Sequence, residues 1–85
     1  MYIDLNIGDY IIILPSKWKD SSVSSKVIGE VIIIRNKIIT NIDFVYRILY
    51  PTEYKKESFL YRGSFNNIIV LGNPKQNPTL RWLYS

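Results

Sequence analysis

The chain has 85 residues, 47 % of them hydrophobic and 21 % charged, which allows one folded core and excludes a disordered tail. It has neither cysteine nor histidine, so disulfides, thiolate nucleophiles and the commonest general base are all absent. The net charge of +4 is uneven: residues 1–43 hold five basic and five acidic side chains, and residues 44–85 hold six and two. Such a bias suits an acidic or polyanionic partner, and equally suits plain solubility.

Isoleucine dominates the apolar set and alanine is missing. That choice favours strands, because a β-branched side chain is stiff at χ1 and fits a pleated surface, while the best helix former is absent. A chain so rich in Ile, Asn, Lys and Tyr also fits an AT-rich source such as a phage or mobile element. The opening Met1-Tyr2-Ile3-Asp4-Leu5 has neither a basic stretch nor a long apolar run, so no secretory leader is expected. No apolar run approaches the ~20 residues that span a bilayer, and a cytoplasmic protein without membrane contact is expected.

In chain order, Gly8-Asp9 opens a first strand over about 9–14, which Pro15-Ser16 closes. A polar, serine-rich stretch, Ser16 to Lys26, is too long for a tight hairpin. Lys26 to Arg35 reads as a long second strand, with Gly29 inside it as the mark of a bulge or bend. Asn36-Lys37 reverses the chain and Ile38-Ile39-Thr40 returns. Phe44 to Tyr50 is a strand ended by Pro51, and Thr52 to Ser58 is one helical turn. Phe59 to Arg62 is a short strand, and Ile68 to Leu71 the last one, after turns at Gly63-Ser64 and Asn66-Asn67. Asn73-Pro74 and Asn77-Pro78 break the chain before Thr79 to Tyr84, which is either a final strand or an unpaired segment able to join another sheet edge.

Four runs, Tyr10–Leu14, Val31–Ile34, Phe44–Tyr46 and Ile68–Leu71, are apolar without alternation. Successive strand residues point to opposite faces, so these runs want cover on both sides, which so short a chain can hardly supply alone. The predicted architecture is all-β: a small barrel or sandwich of five to six strands in a single domain, 1–85. Gly8-Asp9 before Tyr10–Leu14, Gly29-Glu30-Val31-Ile32, a third strand and a tight turn before Ile68–Leu71 together resemble the SH3-like small barrel of KOW and Tudor domains. The resemblance covers about residues 6–72, leaving 73–85 as a short C-terminal extension, and it implies a fold without naming a ligand.

No residue cluster carries catalysis, a metal or a cofactor. The seven carboxylates are scattered, and only Glu53 and Glu57 share helical spacing, beside Lys55 and Lys56. Lys17-Trp18-Lys19 suits base stacking flanked by phosphate contacts, or an interface anchor, or a cap on one end of the barrel. Along 44–50, period 2 places Phe44, Tyr46, Ile48 and Tyr50 on one face, with Val45, Arg47 and Leu49 on the other. Tyr46, Tyr50 and Tyr61 with Arg62 could form a cage or stacking platform, with Arg47 at its margin; alternatively, Phe44 and Ile48 face the core. Trp82 stands in the C-terminal segment. Two functions are expected: a non-enzymatic module binding a protein partner or a second copy of itself, or an RNA or single-stranded DNA binder.

Overall fold

In the computed structural model, which describes residues 1–14 and 26–84, one antiparallel sheet carries the fold. Its strands are β1 (Tyr10–Ile13), β2 (Val27–Asn36), β3 (Ile42–Tyr50), β4 (Ser58–Gly63) and β5 (Ile68–Gly72). They lie in the order β4-β3-β2-β1-β5, so the last strand returns beside the first and the sheet has β4 and β5 as its edges. The all-β expectation holds with five strands, and the sheet is not closed by pairing between β4 and β5. The polar stretch expected at Ser16 to Lys26 falls, up to residue 25, outside the described residues.

The Gly8-Asp9 signal works as a turn. Gly8 takes φ +95°, a conformation a β-carbon disfavours, while its N–H donates to Val31 O at 2.7 Å. The buried Asp9 carboxylate accepts the Asn6 N–H at 3.0 Å, and the Asp9 N–H donates back to Asn6 O at 3.1 Å. This closed loop delivers Tyr10 into β1 in fixed phase, with Ile11 and Ile13 on the inner side.

The inner face of the sheet holds the core: Leu5, Ile11, Val31, Ile42, Phe44 and Ile68. Burying each such side chain stabilises the fold by roughly 1.5–3 kcal/mol. Against them pack Ile34, Tyr46, Tyr61 and Phe65, among others. β2 stays in contact with both neighbours by slipping register three times against β3, at Ile28/Gly29, Val31/Ile33 and Ile34/Asn36. The extra residue is Leu49 of β3 at the first slip and Ile32 and Arg35 of β2 at the other two, and each slip bends and twists the strand that carries it.

Three expectations change. Ile38-Ile39-Thr40 does not return as a strand. The chain start lies along it instead, through a Tyr2–Ile38 bridge and bonds from the Ile3 N–H to Lys37 O (3.1 Å) and the Ile39 N–H to Met1 O (3.0 Å). The helical turn after Pro51 is a 3-10 turn over Thr52–Tyr54, and a second one, Phe65–Asn67, leads into β5. The C-terminal segment is helix α1 (Pro78–Tyr84), not a strand. Pro78 suits the first helical position, where its missing N–H is not needed. The Asn73 carbonyl accepts from both Gln76 and Asn77, at 3.0 and 2.9 Å, which turns the chain into that helix.

Candidate functional site

The sheet has a second, outer face, and it is covered only in part. At the β1 end the C-terminal segment lies over it: Tyr84 meets the buried Tyr10 edge-on, with ring centroids 6.3 Å apart. At the β4 end an apolar row runs across three strands, Ile33 paired with Val45 and Val45 with Leu60. Ile33 is 52 % exposed and Leu60 49 %, so the row faces solvent. The register slip at Ile32 produces this row, because it sets Ile33 outward opposite Val45 and turns Ile34 inward opposite Phe44.

Charged pairs border the row on both sides. Arg47 donates to Glu30 Oε1 at 2.9 Å across β3 and β2. On the other side, Arg62 and Arg35 approach Asp43 Oδ2 at 3.4 and 3.8 Å. The arginines are about half exposed, so solvent screens these pairs and each contributes at most about 1 kcal/mol. Asp43 itself is buried, and its Oδ1 has no hydrogen-bond partner among the described residues. The strip is thus a half-exposed apolar centre with polar pairs along both sides.

The predicted site residues divide between the two faces. Tyr46 and Tyr61 lie inward: Tyr61 stacks on Phe44 at 5.3 Å, and Tyr46 meets Phe44 at 6.0 Å and Phe59 at 6.3 Å. The Tyr61 hydroxyl donates to Ser64 O at 2.7 Å. Burial raises the pKa of both phenols above the usual value, and a hydrogen bond from the Asn67 side chain opposes this at Tyr61. Arg47 and Arg62 lie outward, so the structure does not bring them together with these tyrosines. Tyr50 departs from the period-2 expectation. A slip at Leu49 pairs it with Ile28, in the row of Ile12 rather than of the core residue Ile11, and leaves it half exposed. Trp82, on α1, is 88 % exposed. Lys17, Trp18 and Lys19 lie outside the described residues.

A cleft of about 220 Å³ opens beside the Glu30–Arg47 pair, lined by Tyr10, Glu30, Pro74, Lys75 and Arg81. Burial raises the Tyr10 pKa most, Glu30 adds to the shift, and Arg81 and Arg47 oppose it. Neither this cleft nor the Ile33–Val45–Leu60 row is visible in the letters. Which isoleucine of a run faces out depends on where the bulge falls, and the cleft depends on how the Asn73–Asn77 turn folds back. Among the described residues no group of acidic, histidine or cysteine side chains could hold a metal, and no helix is long and apolar enough to cross a membrane. Comparison with protein families, with curated proteins and with solved structures gives no match to this chain.

Proposed function

We propose that the chain is a non-catalytic SH3-like module that docks a protein partner through the Ile33–Val45–Leu60 row. The observation that carries this reading is the row itself, half exposed and ringed by Glu30–Arg47 and Asp43–Arg62. Lone exposed apolar residues are ordinary, but a contiguous strip across three strands is a feature of interaction sites. The SH3-like part of the reading draws on the strand order and on the tight Phe65–Asn67 turn before β5. Its composition fits an accessory protein of a phage or mobile element, acting in the cytoplasm by binding or inhibiting a larger protein.

Affinity capture from extracts of the producing cell, with wild type beside Ile33→Asp, tests the reading. A specific protein should be retained by the wild type and lost with the variant, while Lys75→Glu keeps it. Equal recovery with Ile33→Asp rules the row out. A second reading, RNA or single-stranded DNA binding, is favoured by Trp82 standing exposed next to Arg81 on α1. Labelled oligouridine should then bind with steep salt dependence and lose affinity in Trp82→Ala.

A further inference from the structure

The edge strand β4 is unusually open to pairing. Natural edges are blunted by lysine, proline, inward charges or bulges. From Ser58 to Gly63, β4 has no lysine or proline: its one charge, Arg62, is on the outer face, and its register against β3 has no slip; the lysines and the bulge that guard this edge, Lys55 and Lys56–Glu57 opposite Ile48, stop short of it. Both faces of the strand are apolar at its middle, with Phe59 inward and 43 % exposed and Leu60 outward. The other edge is less inviting. β5 is irregular against β1 at Tyr10/Ile11, and it ends at Gly72 (φ +117°), where Leu80 of α1 lies close.

The phase of the ladder settles which backbone groups of β4 do not pair with β3, and among the described residues these have no other strand beside them. Ile48 donates to Glu57 O at 2.8 Å and accepts from Lys56 N at 2.9 Å. By antiparallel alternation, Phe59, Tyr61 and Gly63 then exchange their bonds with β3, and the N–H and C=O of Ser58, Leu60 and Arg62 point away from the sheet. We propose that these groups pair with the same strand of a second copy, antiparallel about a twofold axis at Leu60. The proposal rests on the reading of the chain as an interaction module.

Self-pairing about Leu60 is consistent at every position. Leu60 faces Leu60 of the partner subunit, and Ser58 faces Arg62 of the partner subunit, so no like charges within β4 meet. The outward-pointing groups are also the ones this register pairs. Inner and outer faces continue across the junction, because paired antiparallel residues share a face. The apolar row of each copy then joins the other through the two leucines, so the second copy contributes Leu60 of the partner subunit to the docking strip.

Sedimentation across the micromolar range should give twice the 10.0 kDa chain mass for the wild type. Leu60→Lys, which sets two cations face to face, should return it to a single chain with unchanged circular dichroism. Ile69→Lys on the other edge should leave the dimer intact. Because the chain has no cysteine, Leu60→Cys should form a disulfide-linked dimer under mild oxidation, as facing residues lie within disulfide reach, whereas Ile69→Cys should not. A monomeric wild type, or equal cross-linking at the two positions, overturns the proposal. Neither result touches the partner reading, which stands or falls on Ile33→Asp.

Discussion

Gly29 shows how one missing side chain shapes the inner face. A β-carbon there would lie 2.9 Å from Tyr46 Cδ2 and 3.2 Å from the Arg47 carbonyl, and the second contact is backbone that cannot swing aside. Gly29→Ala should therefore push the Tyr46 ring off its place and cost about 1–3 kcal/mol of stability, measured by urea unfolding. An unchanged midpoint would mean that Tyr46 is not held over this glycine. Tyr61 makes a second residue-scale case. Tyr61→Phe keeps the stack on Phe44 but removes the 2.7 Å bond to Ser64 O, and should cost about 1 kcal/mol. A larger loss would indicate that the hydroxyl also holds the Phe65–Asn67 turn.

Among the elements, α1 is attached by little more than Leu80, its one buried residue, and Tyr84 on Tyr10. Leu80→Ala should lower stability by about 2 kcal/mol, the low end for a buried leucine, because a surface helix can settle into the gap. Thermal unfolding reads the loss, and no change would show that α1 does not anchor to the sheet. Strand positions are legible in the letters wherever turn chemistry punctuates them. Gly8-Asp9, Pro51 and Gly72-Asn73-Pro74 each end or begin a strand within a residue or two of the expectation. Thr79–Tyr84 reads as a final strand or an unpaired segment because it is apolar apart from Arg81, with the two Asn-Pro breaks set against its continuing the sheet; a proline at the first helical position gives the same letters. The candidate site stays hidden for a related reason, since period 2 fails at each slip of β2 against β3: Gly29 marks the one at Ile28/Gly29, but no glycine or proline marks those at Val31/Ile33 and Ile34/Asn36.

The described residues form a flat body, 35 × 32 × 17 Å, built on one sheet whose inner face holds the main core, with Tyr10 buried on the outer side beneath Tyr84. Alkali should destabilise the fold. Tyr46, Tyr61 and Tyr10 are all held above the usual phenol value by burial. The folded state keeps protons that the unfolded chain loses above about pH 10, so stability is complete below that pH and falls as pH climbs towards the raised values. Urea midpoints should drop above pH 10, and Tyr46→Phe should flatten the drop; a midpoint independent of pH up to 11 would contradict the burial of these phenols.

The triple isoleucine of β2 makes the strand tolerant of lost length. Deleting any one of Ile32, Ile33 or Ile34 yields the same shorter sequence, and the residue that disappears is in effect the spare one at the bulge. The shortened ladder would run Val31 inward, isoleucine outward and isoleucine inward, keeping both surfaces as they are. Copying errors in this stretch would thus be absorbed as a straighter strand, where a similar loss in β4 would turn its apolar side chains to the wrong side.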